Sequence, residues 1–306
     1  MSHSNPYTLA ERLYDSIRYL SRGYRTRLAK RNPEAAVRLK FQHTCKRRLN
    51  LEDPTLLPDL LQWLKLNTDT SQWTQLADKY AVREYVTACG LQHLLNELYA
   101  SYRRPEDIDW ESLPDSFVLK LNNGCHSVVP VASKSQLDKA RTVAQFRRWM
   151  KQPFGYASAE LHYVPIQPRI IVEKYLEEPP HKSLTDYKLY CIGGKVQAIL
   201  VCQDRQISHA TKALYSPQWS LMEEYNRTPI ADLPPVDKPQ SLTAMIEAAE
   251  KLASPFPFVR VDFYEIQGRP IFGEMTFTPA GGYKIYGTQK FYEDMGAKLR
   301  NHLPPM

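Results

Sequence analysis

The residues whose types and spacing bear most directly on chemistry lie near the C-terminal end, in VRVDFY (259–264) and IFGEMTF (271–277). Strand side chains alternate in direction, so Arg260 and Asp262 share one face, with Val259, Val261 and Phe263 on the other. In the second segment Phe272, Glu274 and Thr276 share a face. With a three-residue loop over 267–269, Asp262 stands opposite Glu274 and Arg260 opposite Thr276, and the facing Cβ atoms lie about 5 Å apart. Two carboxylates that close repel each other and call for a cation. Mg²⁺, which accepts few protein oxygens and keeps the rest of its shell for water and phosphate, is one answer. An Arg260–Asp262 ion pair on a half-exposed hairpin is another, and the residues alone leave both open.

The elements needed to position this pair can be followed back along the chain. A helix over 242–252 precedes the hairpin. DYKLYCI and KVQAILVC, joined by Gly193-Gly194, read as a second hairpin, and RIIVEKYL (169–176) as a mostly apolar strand. FVLKLN (117–122) and SVVPVA (127–132) pair across a short glycine-containing connection, followed by a basic helix over 137–150. The proline-rich stretch 215–240 reads as a long irregular connection. Before Phe117 the pattern is helical throughout, with Leu57, Leu60, Leu61 and Leu64 on one face and the helical spacing continuing to residue 110.

Charge divides unevenly. Residues 1–50 hold twelve Lys or Arg against three Asp or Glu, a formal +9, whereas the rest of the chain is close to neutral at −2. Leu13, Ile17, Leu20, Tyr24 and Leu28 recur at helical spacing, with Arg12, Arg18, Arg22 and Arg25 on the opposite arc. That cationic arc fits either a solvated face of a packed helix or contact, through residues 7–48, with a membrane surface or polyanion. A nucleic-acid partner is not expected, because basic and aromatic residues do not interleave as in a recognition surface. The five cysteines show no C-x-x-C spacing, which argues against a zinc site and a disulfide framework. No apolar run is long enough for a membrane span and no export signal is evident, so a cytoplasmic place is expected, with peripheral contact at the inner membrane face as the option the basic segment adds.

From DKYAVREYV through FVLKLNNG, PRIIVEKYL, DYKLYCIGGKV, VRVDFYEIQGRPIFGEMTFTPAGG and DMG, the chain resembles the TupA-like ATP-grasp family over roughly 79–296. The resemblance implies an α+β ATP-grasp fold, with two lobes sandwiching ATP after a basic helical N-terminal region: 1–75 helical, 76–173 the first lobe, 174–306 the second with the metal site. It implies ATP and Mg²⁺ as cofactors, with Asp262, Glu274 and Thr276 as metal ligands, Thr276 standing where many such enzymes carry an Asn. Lys79 and Lys120 would meet phosphate, Gly124 would let the covering loop approach it, and Glu173, Lys174, Tyr175 and Leu176 would read adenine. Asp186 would face ribose, with Lys188 beside it. Glu173 as a plain strand-end residue and Lys120 as an exposed strand lysine are the readings these roles displace.

Arg260 suits the reacting group, because a guanidinium grips a carboxylate or acyl phosphate with two bonds and stays protonated. Arg205, His209, Gly281 and Gly282 are the substrate-side candidates. The phosphate-covering loop NNGCHS carries a single glycine, fewer than is usual for the family, and His126 would contact phosphate if the loop uses side chains instead. The activity implied is ligation of a carboxylate to an amine through an acyl phosphate, the family context pointing to an acidic sugar or glycan and an amino acid or amine. A kinase of the same fold, acting on a hydroxyl, is the alternative.

Overall fold

The computed structural model describes residues 23–125, 127–176, 184–203, 211–233 and 236–304. Arg205, His209, His126 and the N-terminal part of the basic helix lie outside them. Two antiparallel sheets form the frame. The first has the order β1-β4-β2-β3, built from β1 (Leu98–Tyr102), β2 (Phe117–Leu121), β3 (Val128–Val131) and β4 (Ile170–Lys174). The second has the order β7-β6-β5-β8-β9, built from β5 (Asp186–Ile192), β6 (Lys195–Gln203), β7 (Thr211–Tyr215), β8 (Phe258–Ile266) and β9 (Arg269–Thr276).

Two strands depart from the sequence reading. β1 lies inside the stretch expected to be helical to residue 110, and pairs antiparallel with β4. Its residues LYASY alternate weakly and every one is only half-buried, so the period-two signal that marks a strand is faint. β7 follows the segment 204–210 and pairs with β6, in a stretch for which the sequence reading named no element. The other strands fall where their patterns place them. Gly193 and Gly194 both take positive φ in the β5–β6 turn, the conformation such a two-residue hairpin needs.

Helices cover the sheets. α1 runs over 23–31 of the described chain. It stops at Asn32, whose side chain accepts from the Ala35 amide and caps α2 (Pro33–Cys45). Ala29, Val37 and Phe41 pack with Tyr283, so this basic segment is docked on the body, while Tyr24, counted on its apolar face, is exposed. Leu57, Leu60, Leu61 and Leu64 of α3 (Leu57–Asn67) are fully buried in the core of the five-stranded sheet, as their spacing predicts. α4 (Ser71–Ala77) and α5 (Val82–Ala88) join the same core through Trp73, Leu76, Val82 and Val86. α6 (Lys139–Met150), capped by Asp138, lies against the first sheet through Phe146. α7 (Leu242–Ala253) and α8 (Gln289–Arg300) pack beneath the second sheet. A single bridge between Leu95 and Phe272 joins the approach to β1 with β9. Among the described residues no helix is long and apolar enough to cross a membrane.

Candidate active site

The β8–β9 hairpin places its polar face as the alternation requires: Asp262 lies opposite Glu274 and Arg260 opposite Thr276. The loop, however, is two residues long, Gln267 and Gly268, with Ile266 paired to Arg269. A bulge between Asp262 and Phe263 absorbs the difference, so the expected register survives a wrong loop length. The extra residue is Gly273, where a Cβ would come within 3.0 Å of the Asp262 carbonyl oxygen. Only glycine lets the two strands close there without displacement.

Cations from three elements converge on this face. Arg260 grips Asp262 with Nε to Oδ1 at 2.6 Å and a second nitrogen to Oδ2 at 2.7 Å, and donates to the Thr276 hydroxyl at 3.2 Å. Lys188, across the β5–β8 pairing from Asp262, donates to Oδ2 at 2.6 Å and stands 3.6 Å from Asp186. Lys79, in the turn between α4 and α5, reaches Glu274 at 3.1 Å, and Arg260 lies 3.5 Å from the same carboxylate. Burial alone would raise the Glu274 carboxyl. Lys79, then Arg260 and Lys188, more than offset that and hold it well below the usual carboxylate range. Asp186, Asp262 and Glu274 are thus matched by Lys79, Lys188 and Arg260, and the repulsion expected between the two facing acids is relieved by the chain's own cations. Arg260, assigned from its chemistry to a reacting group, is turned onto Asp262 as in the ion-pair alternative.

The two inner strands of the first sheet, β2 and β4, carry the other group. Lys120 ends 2.7 Å from Glu173, which is almost buried, with Arg83 at 3.7 Å on its other oxygen. Arg83 went unnoticed in the sequence because a lone arginine on a short helix has no pattern to mark it. The backbone of Lys174 is engaged on both sides, its amide donating to Glu97 and its carbonyl accepting from Asn96, while Tyr175 and Leu176 are half-buried beyond the strand end. Between the sheets, Lys79 also donates to the Gly124 carbonyl at 2.8 Å and its amide to the Asn122 carbonyl, so the β2–β3 loop is tied to the carboxylate face by one lysine. Gly124 has φ near +87°, and a Cβ there would fall 2.7 Å from the Phe154 ring. Glycine is therefore required at the one position where the loop kept it.

Gly281 and Gly282 follow β9 in a turn with three successive positive φ values, starting at Ala280. The Gly281 carbonyl accepts from Gln62 and Lys65 of α3, while Thr278 donates to Glu160. None of Gln62, Lys65 and Glu160 was marked by the sequence, because their partners in this turn are more than a hundred residues away.

The oxygens on the β8–β9 face, two carboxylates and one hydroxyl, are the hard donors that Mg²⁺ takes, and each carboxylate has lone pairs beyond those its cations occupy. The donor set fits a divalent ion that arrives with anionic phosphates, since these can draw the lysines and Arg260 away. Among the described residues there is no group of three or more His, Cys, Asp or Glu that could hold a metal.

A family model for TupA-like ATP-grasp proteins matches residues 59–300. Among solved structures, D-alanine–D-alanine ligase from Bacillus anthracis complexed with ATP aligns with 14% identity over 74% of this chain and 64% of its own length, TM-score 0.43. The corresponding enzyme from Helicobacter pylori aligns with 13% identity over 81% of this chain and 69% of its own, TM-score 0.42. A D-cycloserine synthetase aligns with 13% identity over 80% of this chain and 76% of its own, TM-score 0.43. The chain thus spans just under two thirds of the first of these proteins. No curated protein matches.

Proposed function

The chain belongs to the TupA-like ATP-grasp family, and from that premise we propose that it is an ATP- and Mg²⁺-dependent ligase that couples a carboxylate to an amine through an acyl phosphate. The observation that carries the reading is the face formed by Asp262, Glu274 and Thr276, ringed by Lys79, Lys188 and Arg260, with the Lys120–Glu173 pair on the inner strands of the other sheet beside it in support. Mg²⁺, held by Asp262, Glu274 and Thr276, would supply charge neutralisation beside the phosphates.

The chain's own residues do the remaining work. Lys120 and Lys79 are flexible point charges that can leave Glu173 and Glu274 for phosphate oxygens. Glu173, freed in part from Lys120 and still beside Arg83, accepts from the adenine amine. Asp186 takes the ribose side, with Lys188 neutralising it. Arg260 presents its planar fork to the carboxylate that is activated, and to the more anionic acyl phosphate formed from it, in place of Asp262. No side-chain nucleophile is needed: catalysis is positioning together with charge stabilisation.

The family context supports an acidic sugar or glycan as the carboxylate and an amino acid or amine as the nucleophile. The basic segment, of which α1 and α2 dock on the body, keeps Arg27, Lys30 and Arg31 at the surface, where they would favour an anionic polymer or membrane-associated acceptor. The test is a phosphate-release screen of uronic acids against amino acids with Mg-ATP. Orthophosphate that appears only when both an acid and an amine are present supports the ligase. ADP with a stable phosphorylated product and no orthophosphate would make it a kinase.

A further inference from the structure

We propose that Lys65 and Glu160, buried groups outside the nucleotide site, are positioning residues that lock the 278–283 loop to the 155–163 segment, so that the substrate-side loop and the phosphate-covering loop are held as one unit. This rests on the reading above, in which the loop after β9 meets the substrate.

The connections are specific. The Lys65 ammonium leaves α3 and donates to two carbonyls at 3.2 Å each, Ser158 in one segment and Gly281 in the other. It lies against the Tyr283 ring at 4.7 Å, and the Tyr283 hydroxyl donates to the Ser158 carbonyl at 2.8 Å. Glu160 makes the return link: one oxygen accepts from Thr278 at 2.6 Å and the other from Ser158 Oγ. Both side chains are almost fully buried. At Gly282 a Cβ would lie 2.6 Å from Gln62 Nε2, so the loop meets α3 as closely as a backbone can.

The same segment touches the phosphate-covering loop. Phe154, packed on Gly124, meets Tyr163 edge-to-face at 4.9 Å. The Tyr163 hydroxyl is driven well above its ordinary range by burial, then by the negative charges of Glu160 and Glu274, which places it within the field of both clusters. A displacement of the covering loop when nucleotide enters is therefore passed through Phe154 and Tyr163 to the segment that Lys65 and Glu160 bind to the substrate side.

A structural role alone does not account for the lysine. Each carbonyl it serves has a second donor, Gln62 for Gly281 and Tyr283 for Ser158, so the backbone stays satisfied without it. Burial pushes Lys65 down to about 7, against the attraction of Glu160 and with the repulsion of Lys40. A buried charge held at such a cost contributes geometry more than stability.

Hydrogen exchange on the full chain, comparing wild type with Lys65→Met and Glu160→Gln, tests the lock. It is run without nucleotide and with Mg²⁺ plus a non-hydrolysable ATP analogue as the probe. In both variants the amides of 156–163 and 278–283 should exchange about tenfold faster, in step, while those of β8 and β9 keep their rates. Slowing that the probe induces at 122–125 should reach 278–283 in the wild type and not in the variants. In amine-dependent phosphate release, the KM for the carboxylate should rise about tenfold with the KM for ATP unchanged, a split that mere destabilisation does not produce. Unchanged exchange in both segments, or acceleration spread over the whole chain, would overturn the proposal. A wild type in which the probe slows nothing at 122–125 would refute nucleotide binding instead, and the probe-free comparison would still decide the lock.

Discussion

Two clusters of buried charge sit in this chain on different terms. On the face of β5, β8 and β9 the charges meet one another: Asp186, Asp262 and Glu274 lie against Lys79, Lys188 and Arg260. Beside α3 they meet neutral groups, Lys65 ending on two carbonyls and Glu160 on two hydroxyls. A cation paired with a carboxylate can trade it for a phosphate, provided the freed carboxylate finds another cation. One that bridges two loop carbonyls has nothing to trade and fixes those loops instead. In the proposed reading the first cluster exchanges partners with a ligand and the second holds two loops together.

The largest departure should follow removal of the anion at the centre of the first cluster. Asp262 accepts two bonds from Arg260 and one from Lys188 and is almost completely buried. Asp262→Asn leaves those two cations facing each other, and urea melts should show a loss of about 3–5 kcal/mol. Turnover in the folded fraction should fall about a thousandfold. If stability is retained, the charges are not mutually dependent and the contrast between the clusters fails.

Glu274→Gln should act in the same direction but less on stability. From the facing carboxylates alone, removing one charge is expected to relieve repulsion and stabilise the fold. Lys79 and Arg260 reverse that sign, and because Glu274 is about a third exposed the loss should be about 1 kcal/mol. A melting temperature above that of the wild type would restore the repulsion picture.

The second cluster should reveal itself through pH. His162, beside Lys65 and edge-on to Trp73, has both ring nitrogens buried with no protein partner among the described residues. Burial, then the Lys65 charge, push the imidazole from 6.5 down to about 3. Between those values the folded chain binds fewer protons than the unfolded one, so the stability present above 6.5 is lost as the pH falls through the window. His162→Phe should remove that slope, a gain on the order of 2 kcal/mol at pH 5. Lys65, lowered from 10.5 to about 7, acts likewise at the alkaline end, stability rising as the pH climbs between the two values. Identical melting curves for His162→Phe and wild type from pH 7 to 4 would contradict this account of the buried ring.

What could be read before the structure depended on how local the interaction is. Asp262 and Glu274 are joined by a short hairpin, so alternation placed them face to face even though the loop was one residue shorter than expected and Gly273 took up the slack. Lys188 and Lys120 were named through the family resemblance, which places charged residues on those two strands. Their pairings were not legible: that Lys120 ends on Glu173 and Lys79 on Glu274 depends on how separate segments pack. β1 was lost because LYASY is half-buried along its length. Lys65 and Glu160 left no trace, since a lysine on an apolar helix reads as solvent-facing until the loop that buries it is in place.

In the proposed reading Asp262 and Glu274 together form a metal-nucleotide site. Calorimetric titration of ATP into wild type and Glu274→Gln, each with and without Mg²⁺, tests it most directly. Mg²⁺ should strengthen ATP binding to the wild type and most of this gain should disappear in the variant, while binding without the ion changes little. An equal gain from Mg²⁺ in both proteins would contradict it.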